Sequence, residues 1–174
     1  MSFADEKATE VLRSHWNGRL PVDVKEIAGK LGVAIIEREE YGAVTPPEGI
    51  ARKDTDDHYD ISGRFDIVNG IPTATIRTTD ALVRQRFTLA HELGHYILGH
   101  GGGFRDNAAA VVNFTNYNQA EIDANAFAAE LLMPKLMVNH LIEAQNIRNI
   151  EALASKFFVS TAAMEYRLKK LGWL

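Results

Sequence analysis

At 174 residues, with 46% hydrophobic and 24% charged residues, the chain is sized for one domain with at most a small appendage and can bury a core. A formal net charge of -4 gives no overall attraction to phosphate, so nucleic-acid binding would need a local basic patch, and none stands out. The absence of cysteine excludes disulfides, thiolate catalysis and thiolate metal ligands, leaving His, Asp and Glu as the ligating side chains.

The opening MSFADEKATEVLRSHW carries acids and lacks the basic, apolar, small-residue order of a signal peptide. No stretch approaches the roughly 20 apolar residues of a membrane-spanning helix, so no membrane partner is expected and the cytoplasm is the expected location. Ala4 to Trp16 reads as an amphipathic helix, with Ala8, Val11, Leu12 and His15 recurring at helical spacing. After a turn at Asn17 and Gly18, Asp23 to Leu31 reads as a short helix ended by Gly32, and Val33-Ala34-Ile35-Ile36 as a strand. Glu37 to Asp57, with Thr45-Pro46-Pro47 and many charges, reads as loop with one short strand near Ile50. Tyr59 to Val68 and Thr73 to Thr78 are strand-like runs on either side of Asn69-Gly70, the dipeptide that best suits a tight hairpin, with Pro72 blunting one strand end.

From Thr79 the pattern becomes helical, with Val83, Phe87, Ala90, Gly94 and Ile97 along one stripe until Gly99 to Gly103 stops it. A polar loop around Asn113 to Asn118 leads to a helix from Gln119 to Met133, ended by Pro134, and another helix covers Leu136 to Ala144. Ile150 to Phe157 and Thr161 to Leu171 close the chain as a helical pair. The expected class is α+β, mainly helical, with a small antiparallel sheet and a C-terminal helical pair. Residues 1–174 are read as a single domain, with residues 150–174 as its appendage.

His91-Glu92-Leu93-Gly94-His95 is an H-E-x-x-H sequence within the helical stretch. At about 100° per residue, His95 lies only about 40° round the helix from His91 and about 6 Å along it, so both imidazoles can reach one ion. Glu92 falls about 60° from His95, beside the ion and outside its ligand shell, where a base must stand. Two core histidines at chance spacing are the plain alternative, but such a match arises in only on the order of one percent of chains of this composition. Zinc is the expected cofactor, one ion with manganese as the alternative, because three protein ligands and a water make a catalytic site.

A third ligand is available from Glu121, at the start of the next long helix, with Asp123 as its rival. Asn125, one turn beyond Glu121, can accept a hydrogen bond from the outer nitrogen of a ligand histidine. Small Ala124 and Ala128 let the two helices approach. The plain reading of Glu121 is an acid favoured near a helix N-terminus, with Asn118 as cap. A third histidine ligand would stand six residues after His95, with a glycine three after it; those positions are Gly101 and Leu98, so His100 reads as a helix-end residue. His15, His58 and His140 have no ligand spacing.

Arg84-Gln85-Arg86-Phe87-Thr88-Leu89-Ala90-His91-Glu92-Leu93-Gly94-His95 and EIDANAFAAELLMP from Glu121 to Pro134 together resemble the ImmA/IrrE family of metallopeptidases. The likeness extends upstream to Pro21-Val22-Asp23, Ile27-Ala28 and Leu31-Gly32-Val33, and downstream to Phe158-Val159-Ser160, Arg167-Leu168 and Leu171-Gly172; Glu37 to Tyr59 resembles it least. The resemblance implies a zincin-like core with His91, His95 and Glu121 as ligands and Glu92 as base. It also implies a bacterial or phage protein whose substrate is a protein, often a transcriptional repressor. Neutral Asn125 stands where related thermolysin-like enzymes have Asp, which bears on how strongly the partner histidine is polarised.

The C-terminal run from Leu153 to Met164 resembles a helix-turn-helix, in which Thr161 to Lys170 would be the recognition helix. With Lys156, Arg167, Lys169 and Lys170 set against Glu151 and Glu165, its charge is only mildly positive, so a packing role is preferred and no direct nucleic-acid contact is expected. The leading expectation is thus a peptidase acting on a regulatory protein. A metal-binding sensor without turnover and a DNA-binding regulator are the alternatives; Glu92 favours the enzyme, because a purely structural site needs no base. Thr73 to Thr78 is expected to be a free sheet edge that pairs with an extended substrate segment.

Overall fold

The computed structural model describes residues 2–39, 63–100 and 114–174, with the side chains of 114–118 excepted. Along them run α1 (Phe3–His15), α2 (Val24–Lys30), β1 (Ala34–Arg38), β2 (Gly63–Val68), β3 (Ile71–Arg77), α3 (Leu82–Ile97), α4 (Phe114–Leu132), α5 (Lys135–Glu143), α6 (Ile150–Phe157) and α7 (Thr161–Leu171). The strand expected near Ile50, His58 and the first residues of the run from Tyr59 lie outside the described residues. The α+β class holds.

Local signals place most of these elements. Ser2 and Asp5 form a capping box that starts α1, and Asp23, Asn149 and Ser160 accept backbone hydrogen bonds as N-caps of α2, α6 and α7. Asn69 and Gly70 both take positive φ, 51° and 80°, the two-residue turn whose twist suits a hairpin, so β2 and β3 pair antiparallel with Val68 opposite Ile71. α3 has no side-chain cap of its own; Gln85 Nε2 donates back to the carbonyls of Thr78 and Asp80, and Arg77 clasps Asp80.

The sheet departs from expectation in two ways. It is mixed, because β1 lies parallel to β3 with Ala34 opposite Thr73. The strand order is β1-β3-β2, so Thr73 to Thr78 is not a free edge: β3 is bonded on both sides. Burial explains this, since Thr73, Ala74 and Ile76 of β3 are buried whereas β2 is half-exposed along its length. A strand with that apolar load belongs at the centre. Among the described residues, β2 is the outer strand on that side.

A further departure is the start of α4. Helix begins at Phe114, so the loop expected up to Asn118 is helical from that point and Glu121 lies well inside the helix. Packing explains the override of the local turn propensity of Asn116 and Asn118: Ala124, Phe127, Ala128, Leu131 and Leu132 form a buried face along α4.

α3 is sandwiched, with β2 and β3 on one side and α4 on the other, while α1 packs on α4. Leu89, Ala90 and Leu93 of α3 meet the core built from Ile76, Phe127 and Leu131. The helices approach closely at Gly94, where an added Cβ would stand 3.1 Å from the Ala124 Cα and carbonyl oxygen. No larger residue fits there without moving a backbone.

The C-terminal helical pair is fastened at both ends. The Arg167 guanidinium, 2% exposed, donates to the Met133 carbonyl (3.1 Å) and pairs with buried Glu130, which also accepts from the Lys135 amide. At the other end, Arg86 of α3 donates to the carbonyls of Phe158 and Val22 and stacks on the Phe158 ring. Lys169 pairs with Glu165. Two cations of the helix-turn-helix-like run are therefore engaged by the protein's own acids, which accords with packing. No helix among the described residues is long and apolar enough to cross a membrane.

Candidate metal centre

α3 carries His91, Glu92 and His95 through its third and fourth turns, and α4 brings Glu121 opposite them. The His91 and His95 Nε2 atoms are 3.0 Å apart; Glu121 Oε2 is 3.2 Å from His91 Nε2, and Oε1 is 3.3 Å from His95 Nε2. This trio could hold a metal ion. Ligands at about 2.0–2.1 Å from one zinc ion in tetrahedral arrangement stand roughly 3.3 Å from one another, and the contacts between the imidazoles and between each imidazole and the carboxylate are of that order.

The donor chemistry fits as well. His91 Nδ1 lies 3.0 Å from Asn125 Oδ1, which as an acceptor keeps the proton on Nδ1 and leaves the Nε2 lone pair facing the trio. The His91 and His95 rings beside it hold the Glu121 carboxyl well below the usual carboxylate range, so it is anionic. Asp123, in contrast, accepts a hydrogen bond from Gln119 on the outside of α4 and takes no part in the trio.

Glu92 is 7% exposed, and burial pushes its pKa up against the pull of His91 and His95. Its neighbour is unforeseen from sequence: Gly63, the first residue of β2, packs so closely that an added Cβ would collide with the Thr88 methyl and stand 2.8 Å from Glu92 Oε1. His100 ends up nearer than its spacing implied. Its amide closes the end of α3 on the His95 carbonyl, and its ring meets that of His95 edge-on at 5.5 Å. Its Nδ1 is buried with no hydrogen-bond partner among the described residues, and burial lowers its pKa.

His91, Glu92, Glu121 and Asn125 open onto a cleft of about 690 Å³. Val83 and Phe87, two turns and one turn before His91 on α3, line it too, as do Val159, Ser160 and Ala163 at the α6–α7 junction. Sequence reasoning did not connect Val159, Ser160, Ala163 or Gly63 with the site, since no local pattern links segments so far apart in the chain. A second hollow of about 630 Å³ beside Met137 and Lys156 holds none of the ligating groups.

A family model described as the IrrE N-terminal-like domain, peptidase M78, matches residues 29–169. The Metallopeptidase ImmA of Bacillus subtilis (strain 168) is 32% identical over 99 residues, 56% of this chain and 56% of that protein. A Mycobacterium tuberculosis transcriptional regulator superposes with a TM-score of 0.56 over 95% of this chain and 46% of its own, at 14% identity, a likeness of fold alone. The chain spans about half the length of these relatives.

Proposed function

The chain belongs to the IrrE N-terminal-like family of M78 peptidases, and on that premise we propose that it is a zinc-dependent endopeptidase acting in the cytoplasm on a regulatory protein, such as a transcriptional repressor. His91, His95 and Glu121 hold the ion, with Asn125 fixing the His91 ring. The bound ion supplies Lewis-acid polarisation of the scissile carbonyl and makes water acidic enough to deprotonate near neutral pH. Glu92 takes the proton of the attacking water and hands it to the nitrogen of the leaving amine. Packing of Glu92 beside Gly63 and Thr88 leaves that carboxylate open only towards the cleft and restricts where it points. An extended substrate segment lies along β2, the outer strand among the described residues and the one next to Glu92, and docking of the folded partner supplies selection.

The observation that carries this reading is the convergence of the His91 and His95 Nε2 atoms, 3.0 Å apart, on the Glu121 carboxylate, whose two oxygens stand 3.2 Å from the one and 3.3 Å from the other. Alongside it stands an acid that completes no ligand set and so has a base's place. Purified protein takes up one equivalent of zinc, and incubation with candidate repressors gives discrete fragments by mass spectrometry. Glu92→Gln keeps the metal and abolishes cleavage. Zinc uptake below about a tenth of an equivalent, or undiminished cleavage by Glu92→Gln, overturns the reading.

A further inference from the structure

We propose that the end of the cleft between α3 and α7, walled by Val83, Phe87, Val159 and Ala163, is a specificity pocket that accepts one medium-sized apolar side chain of the substrate beside the bond that is cut. This deepens the peptidase reading and rests on it.

Position comes first. The walls belong to the same 690 Å³ cleft as His91 and Glu121, and the Phe87 ring centroid is 6.5 Å from that of His91. A residue whose peptide bond lies at the metal trio would place its side chain within reach of these walls. Their chemistry then selects among side chains. All four are apolar, Val159 is almost fully buried, and the charged residue at this end, Arg84, stands 3.5 Å from Asp80. A charged substrate side chain would lose water there without gaining a full partner, whereas an apolar one gains by burial.

The wall is also pre-formed. Arg86 fixes the turn through the Phe158 carbonyl, Ser160 Oγ accepts from the Ala163 amide at 3.1 Å, and Arg167 anchors α7 from beneath. Little ordering cost is left for the substrate to meet. The small Ala163 leaves the space open. In a DNA-reading helix-turn-helix, the first turn of the second helix faces bases; here Ser160 and Ala163 face the cleft.

The test uses zinc-loaded full-length protein and two probes, N-acetyl-leucine hydroxamate and N-acetyl-glycine hydroxamate, titrated calorimetrically. Both carry the same metal-binding group and differ only by an isobutyl side chain. The leucine compound binds about 10- to 100-fold tighter, the range that burial of such a side chain gives. In Ala163→Phe, which fills the pocket, and in Val83→Asp, which places a charge in it, the two compounds come within about threefold of each other, with zinc content and thermal unfolding as controls. Val83 is only half-buried on α3, so its variant tests the pocket even if Ala163→Phe folds poorly. Equal binding of the two probes to the parent protein, or an undiminished preference in the folded variants, overturns the pocket while leaving the metal centre in place. Failure of the protein to take up zinc, or of either hydroxamate to bind zinc-loaded protein, overturns the peptidase reading and the pocket with it.

Discussion

Glu121 and Asp123 are separated by about 200° of helix rotation, so only one can face α3. Asn125 lies one turn beyond Glu121 and shares its face. The structure shows Glu121 with the imidazoles, Asn125 on His91 and Asp123 on Gln119. A graded effect on zinc affinity follows. Asn125→Ala weakens binding by about 10-fold or more, within the range for partners of ligand histidines. Glu121→Ala weakens it beyond about 100-fold, and Asp123→Ala leaves it unchanged; competition titration with a chromogenic chelator measures all three. An affinity lost in Asp123→Ala and kept in Glu121→Ala reverses the assignment. These residues were legible in the sequence because each pair, His91 with His95 and Glu121 with Asn125, is spaced four apart on one helix. Gly63, Val159 and Ala163 were not, because their nearness to the site is created by folding alone.

Between elements, the decisive contact is that of α3 with α4, and Gly94 is its closest point. Gly94→Ala has two opposed effects: the helix gains roughly 1 kcal/mol in propensity, and overpacking against the Ala124 backbone costs about 1–3 kcal/mol. A backbone atom yields less readily than a side chain, so the cost prevails and the variant is destabilised by up to about 2 kcal/mol in denaturant unfolding. Because α3 and α4 each bring part of the metal trio, zinc affinity falls with it. A variant with unchanged stability and affinity would show that the helices can part without consequence. The close approach was foreshadowed by Gly94, Ala124 and Ala128, all small. The early start of α4 was not, since Asn116 and Asn118 favour a turn locally and only the buried face from Ala124 to Leu132 repays helix across them. The order of strands escaped the sequence for a similar reason: β3 is central because of what packs on it.

In the whole molecule, Arg167 and Glu130 join the last helix to α4 at side-chain exposures of 2% and 7%. Removing one partner strands the other's charge, so Arg167→Met costs about 3–5 kcal/mol, while Arg167→Met with Glu130→Met costs less than the sum of the single changes. Equal additive losses in chemical denaturation would mean that the two groups act independently. The helix-turn-helix likeness of this pair was readable, but its use as a cleft wall depends on Arg86 reaching Phe158 across the fold. His91 and His95 stand on one helix and Glu121 on another, so an ion held by all three would also be a cross-link within the core, and the folded fraction of the protein would be coupled to the free concentration of that ion. At a free concentration 1,000 times the dissociation constant, this linkage is worth about 4 kcal/mol. At roughly 2–4 °C per kcal/mol for a chain of this size, chelation lowers the midpoint of thermal unfolding by about 8–16 °C, and Glu121→Ala abolishes that dependence. Zinc starvation would then remove the protein as well as silence it, because the chain without its ion is the one that cellular proteases find open.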